Sequence, residues 1–213
     1  MAELLAGLSI LIPALVLAVT VHEATHALTA ALFGDRVAVA GGRVSLNPFK
    51  HCSLLGTAVV PFSLFILTSL MTLPGMLVGW GKAVPISEHL SSRKAGLLCT
   101  ALAGPVANLL LAALCIGVRN QVQEYVWLIA FLETCASLNL FLCVVNMLPV
   151  MPLDGATCIQ ALSSERVWNY YKHIQPCLYV TGAGLLFTGL LNKYIVWATQ
   201  SLLSALLSGV IHG

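Results

Sequence analysis

Apolar residues run almost without interruption through Leu4–Phe33, Leu54–Val78, Ala95–Val118, Tyr125–Val150, Pro176–Leu191 and Ile195–Ile211. A helix crossing a bilayer takes roughly 20 such residues, and only the last two runs are short of that. The first run is too long for one crossing. As a helix it would reach about 45 Å against about 30 Å of hydrocarbon, so it must tilt or protrude. Between the runs the pattern changes. Val37-Ala38-Val39-Ala40 and Arg43-Val44-Ser45-Leu46 alternate on either side of Gly41-Gly42, which predicts a small β-hairpin ended by Asn47-Pro48. Gly79–Ile86 is a second non-helical stretch, Ser87–Lys94 is polar, and Gly155–His173 predicts an amphipathic surface helix or loop.

Composition turns this pattern into a class. Hydrophobic residues make up 59% of the 213 positions and charged residues 8%, against about 25% charged in an ordinary soluble domain. Intrinsic disorder and a soluble globule are both excluded. The expected fold is an all-α polytopic membrane protein. It has about five transmembrane helices, a re-entrant segment and a membrane-associated hairpin, embedded in a lipid bilayer. No stretch has room for a separate soluble domain, so residues 1–213 are read as one unit. The net charge of +2 gives no nucleic-acid footprint. The seven cysteines form no CxxC pair and sit mostly in apolar runs, as small hydrophobes do. The start Met1-Ala2-Glu3 lacks the positive charge of a cleavable signal peptide.

In the second half of the first run stands His22-Glu23-Ala24-Thr25-His26. Two imidazoles at i and i+4 lie on one helix face, able to bind one Zn²⁺, and the glutamate lies beside the metal's open position. At this composition a chance match to HExxH is expected about 0.006 times per chain. Two ordinary core histidines are a poor alternative, because three ionisable groups within five residues of a membrane run are costly. A catalytic zinc needs a third protein ligand. On the residues alone the candidates are Asp154, which follows a helix end broken by Pro149 and Pro152, and Glu133, inside the same run.

These motifs together resemble the site-2 proteases, intramembrane zinc metalloproteases. The chain has HExxH at His22–His26, an NxxPxxxxLDG pattern at Asn146–Gly155, and AGPxxN at Ala103–Asn108. Arg43–His51 with Leu55-Gly56-Thr57, and Gly79–Pro85, are similar to loop motifs of the compact bacterial branch, which has no PDZ or CBS domains. Cys52-Ser53 stands where that branch has Asp-Pro, and Gly81 and Ala83 also depart from it. The resemblance covers about residues 4–161, the expected catalytic core; a helical hairpin of about 175–211 follows. It implies one Zn²⁺ per chain held by His22, His26 and Asp154, with Glu23 as general base. The implied activity is hydrolysis within or near transmembrane segments of membrane protein substrates, in a multi-pass protein of a bacterial cell membrane. The alternative is a zinc-binding transporter or scaffold without proteolysis. Asn146, and Val44 and Leu46 through strand addition, are the expected substrate contacts. Asn108 and Asn139 are read as helix–helix contacts, and His51, His89, His173 and His212 receive no ligand role.

One zinc held by both ends of the core also constrains topology. An odd number of crossings must separate the first run from Asp154. Ala95–Val118 supplies one, so Leu54–Val78 should dip in and return. That form puts Arg36, Arg43, Lys50, Lys82, Arg93, Lys94, Arg166 and Lys172 on one side, leaving Arg119 and Lys193 on the other. A crossing would even the split. The positive-inside bias therefore favours the re-entrant form, with the active site toward the cytoplasm.

Overall fold

A computed structural model gives the architecture. The structure describes residues 2–51 and 94–211 and, between them, only Ser53, Gly56, Val59, Ser63, Lys82, Pro85, Ser87 and Leu90. Every regular element among the described residues is helical. They are α1 (Ala2–Leu32), α2 (Arg36–Ala40), α3 (Pro48–His51), α4 (Lys94–Gln121), α5 (Val126–Asn146), α6 (Asp154–Leu162), α7 (Glu165–Phe187) and α8 (Leu190–Ile211). Three of them are long and apolar enough to cross a membrane: Leu5–Leu32, Lys94–Gln121 and Val126–Asn146. The expectation of about five spans is met for these three, and the expected re-entrant run Leu54–Val78 falls almost wholly outside the described residues.

Helices α1, α4 and α5 pack on one another, and α8 lies against α5 and α4. The buried stripe of α1 is Ala14, Ala18, His22, His26 and Ala30, one residue every four. Lipid tails give no hydrophobic drive for helix association, so small residues that allow close approach carry the packing. At one end Ala14 meets Ala112, Cys115, Ile116, Leu132, Cys135, Leu138 and Leu140, with Leu202, Leu203, Leu206 and Leu207 of α8 around them. Toward the other end the stripe becomes histidine. α4 runs antiparallel to α1: His26 faces Thr100 and His22 faces Asn108. Phe33 lies beside Gly96 at the same end. The C-terminal end of α1 and the N-terminal end of α4 therefore lie together at one end of the bundle.

The expected hairpin Val37–Leu46 is not formed; its first strand is the short helix α2. Asp35, almost fully buried, accepts a hydrogen bond from the Val37 amide (2.9 Å) and another from the Ser87 amide (2.8 Å). The first of these caps the helix. The Gly41 and Arg43 amides close helical bonds to the Val37 and Ala38 carbonyls at 3.0 and 2.8 Å, so this backbone needs no strand partner. Ala38 is buried while Val37 and Val39 are exposed. Over so few residues a period of two and a period of 3.6 cannot be told apart.

Ser45–Asn47 is irregular, and Lys82 bonds to the residues on either side of it. The Lys82 amide donates to the His51 carbonyl (2.7 Å), Lys82 Nζ to the Phe49 carbonyl (3.4 Å), and Arg43 to the carbonyls of Lys50 and Lys82. His51 is fully buried, with Nε2 donating to the Ser45 carbonyl (2.6 Å), and burial pushes its imidazole below the ordinary value. The expected surface segment Gly155–His173 is divided between α6 and α7, which part at Ser163-Ser164.

Candidate metal centre

The α-helical period brings His22 and His26 to one face of α1, and both rings are buried. What lies opposite decides their chemistry. His26 Nδ1 is 2.6 Å from the Thr100 carbonyl oxygen, which only accepts, so this nitrogen carries the proton. His22 Nδ1 is 3.0 Å from Asn108 Oδ1, also an acceptor. Both rings are thereby held in the tautomer that leaves Nε2 bare, the form a metal ligand requires.

The two bare Nε2 atoms face each other at 3.0 Å. Asp154 completes the group, with Oδ2 3.2 Å from His22 Nε2 and Oδ1 3.3 Å from His26 Nε2. Asp154 Oδ2 is buried with no donor. Two imidazole nitrogens and both carboxylate oxygens thus converge in one buried cluster, the donor set of a divalent cation. Tetrahedral zinc with bonds of about 2.0–2.1 Å separates its ligand atoms by roughly 3.3 Å, which is the spacing found here. Among the described residues, His22, His26 and Asp154 are the cluster able to hold a metal ion. Glu23, half-buried on the next position of α1, lies within electrostatic reach of all three and of Arg43.

Gly104 makes this closeness possible. A Cβ there would run into both imidazoles. Pro105 lacks an N–H and denies the Ala101 carbonyl its helical donor, which loosens the turn of α4 whose Thr100 carbonyl faces His26. Asn108 follows Gly104 by one turn on the same face and is fully buried. The reading of Asn108 as a helix–helix contact holds, but the partner is the imidazole of His22. Its position one turn beyond a glycine in AGPxxN was the available signal. Thr100 acts through its backbone and left no mark in the sequence.

The rival ligand is placed elsewhere. Glu133 is exposed and accepts from Arg119 Nε at 2.9 Å, joining the end of α4 to α5. Asn146 turns back on its own helix, Nδ2 donating to the Leu142 carbonyl (2.9 Å). Asn139 does the same toward the Cys135 carbonyl (2.8 Å). Val44 and Leu46, expected to pair with substrate as a strand, are exposed on irregular backbone, so the strand edge that reading needs is not present. His173 bonds the Asn169 carbonyl, and His89 and His212 lie outside the described residues.

Two histidines one helical turn apart, an aspartate against both and a glutamate beside them are the arrangement of a zinc metalloprotease, and known proteins agree with it. The chain is 30% identical over 198 residues to a protein of Bacillus subtilis (strain 168) named "Putative zinc metalloprotease YwhC", covering 88% of this chain and 84% of that one. It is 30% identical over 165 residues to "Putative zinc metalloprotease Rip2" of Mycolicibacterium smegmatis, 70% of this chain and 59% of the relative. Against the protein of the same name in Mycobacterium tuberculosis the identity is 31% over 144 residues, 65% of this chain and 51% of the relative. The chain belongs to the site-2 protease family of zinc metalloproteases. The relatives' names imply Zn²⁺ as the metal, and His22, His26 and Asp154 are a group that could hold it. No family profile matches the chain, and no solved structure does.

Proposed function

We propose that the protein is an intramembrane zinc endopeptidase that cuts membrane proteins within or near their transmembrane segments. The observation that carries this reading is the convergence of His22 Nε2, His26 Nε2 and the Asp154 carboxylate on a face buried inside the span Leu5–Leu32. Bound there, Zn²⁺ supplies Lewis acidity toward a peptide carbonyl and toward water. His22, His26 and Asp154 hold it; the Thr100 carbonyl and Asn108 keep the two imidazoles in the ligating tautomer. Glu23 takes the proton from the attacking water and delivers it to the departing amine.

Peptide carbonyls in an intact helix are engaged in hydrogen bonds and enclosed, so a substrate must unwind locally to reach this site. In this reading the site faces the cytoplasm. Two observations support this orientation: the shared end of α1 and α4, and the eight basic residues that the expected topology collects on one side.

The test is a panel of membrane proteins incubated with the wild type and with Glu23→Gln, with fragments mapped by mass spectrometry. Glu23→Gln keeps its zinc and loses about 10²–10⁴ in rate, because the amide preserves shape and cannot accept the proton. Equal turnover by the two proteins would sink the assignment of Glu23. An absence of cleavage by zinc-loaded wild type across the panel would sink the endopeptidase reading.

A further inference from the structure

Helix α6, which Asp154 begins, packs along α4, and the loop leading into it is held from a different helix. Asp154 opens α6 directly after the non-helical Met147–Leu153, and Leu153, in the capping position, offers no side-chain cap. This loop folds back over the helix start so closely that a Cβ on Gly155 would run into the Met147 and Leu148 carbonyls. Within the loop, short-range bonds from the Leu148, Val150 and Leu153 amides hold the turns. They define its local shape and do not locate it against the histidines.

Two side chains from outside the loop grip it. Tyr171 Oη donates to the Pro149 carbonyl at 2.5 Å, and Gln175 Oε1 accepts from the Met151 amide at 3.4 Å. Both belong to α7, both are buried, and they are one turn apart on one face. Trp168 stacks on Tyr171 with ring centres 5.4 Å apart, which limits the phenol's freedom. Backbone groups in a broken segment at membrane depth must find partners. Here a carbonyl and an amide of the same loop find them on one helix, beyond the stretch that resembles the family core.

We infer that Tyr171 and Gln175 are positioning residues for the metal centre: they fix the Met147–Leu153 loop from α7 and so hold the Asp154 carboxylate in register with His22 and His26. The metal site is thereby shared between the three-helix bundle, which carries the imidazoles, and the C-terminal helix α7, which sets the carboxylate. This inference rests on the reading of His22, His26 and Asp154 as the ligands.

The test is zinc affinity by chelator competition on the purified full chain in lipid nanodiscs, together with the visible spectrum of the Co²⁺-substituted protein. Tyr171→Phe combined with Gln175→Leu lowers affinity by about tenfold, the lower range for groups that orient metal ligands, and alters the Co²⁺ bands. Gln175→Glu, which keeps the accepting oxygen, retains wild-type affinity and spectrum when combined with native Tyr171. If the double variant does not fold, Tyr171→Phe alone, which removes one oxygen atom, decides in the same way. His22→Ala separates the two levels of the argument. If it retains wild-type affinity, the ligand reading fails. If it abolishes binding while the Tyr171 and Gln175 variants bind zinc as the wild type with an unchanged Co²⁺ spectrum, the positioning role is overturned.

Discussion

The inner stripe of α1 passes through two different environments. Ala14 shares a buried apolar cluster with Ala112, Cys115, Ile116, Leu138 and Leu140, where close contact of small and aliphatic side chains carries most of the packing. Around His22 and His26 the neighbours are the Thr100 carbonyl, the Asn108 amide, Asp154 and the bare Cα of Gly104. One helix, with one spacing of buried residues, thus serves as packing surface in one half and ligand platform in the other. The dry half accepts any small residue that keeps the helices close. The polar half depends on individual atoms, because each buried acceptor there sets a proton on a ring. Function is therefore concentrated where packing is least forgiving.

The largest expected contrast is between the two acids. Asp154→Ala loses zinc and hydrolysis, while Glu133→Ala, which breaks only the exposed pair with Arg119, keeps both; metal analysis of the purified proteins measures this. Zinc retained in Asp154→Ala and lost in Glu133→Ala would reverse the ligand assignment. Next comes Gly104→Ala. One methyl group directed at both imidazoles lowers zinc affinity by more than about a hundredfold, beyond what loss of one orienting hydrogen bond costs. Wild-type affinity in that variant would mean that α1 and α4 separate freely to accommodate it.

Asn108→Leu removes the acceptor opposite His22 Nδ1 and costs about 10–100-fold in zinc affinity. Asn108→Asp keeps an acceptor and restores binding; a Leu variant that binds as tightly as the Asp variant would assign the amide to packing alone. The smallest effect on the metal comes from the dry half. Leu140→Ala leaves a cavity and lowers stability by about 2 kcal/mol, near the bottom of the range for such truncations because lipid supplies no hydrophobic drive. Zinc affinity stays as in the wild type, and chemical unfolding in mild detergent measures the loss. A matching fall in affinity would show that the two halves are not separable.

Much of the site was legible because it is local. The i, i+4 imidazoles follow from the helical period alone, and Glu23 comes with them. The hairpin expected over Val37–Leu46 gives way to a short helix for a reason equally local: alternation across a few residues suits a strand and a short helix alike. The buried Asp35, bonded to the amides of both Val37 and Ser87, decided for the helix, and Ser87 is far along the chain. Apolar length predicts about five spans; three helices among the described residues meet the requirement, and α7 differs from them. It begins in the polar segment at Glu165 and runs to Phe187, so one helix joins a polar stretch to the apolar run that follows it.

By itself, the sequence determined the membrane class, the pair of imidazoles on one helix face and the short set of carboxylates able to join them. These follow from composition and from the repeat of a single helix. The motif Asn146–Gly155 pointed to Asp154 only through its resemblance to a family; the tertiary structure set it beside both imidazoles and Glu133 beside Arg119, placed the Thr100 carbonyl and Asn108 against the two rings, and brought α7 against the loop that carries the carboxylate. Those choices depend on how separate helices pack. A hydrogen bond or a metal bond forms or fails over about an ångström, a distance that residue spacing along the chain does not control.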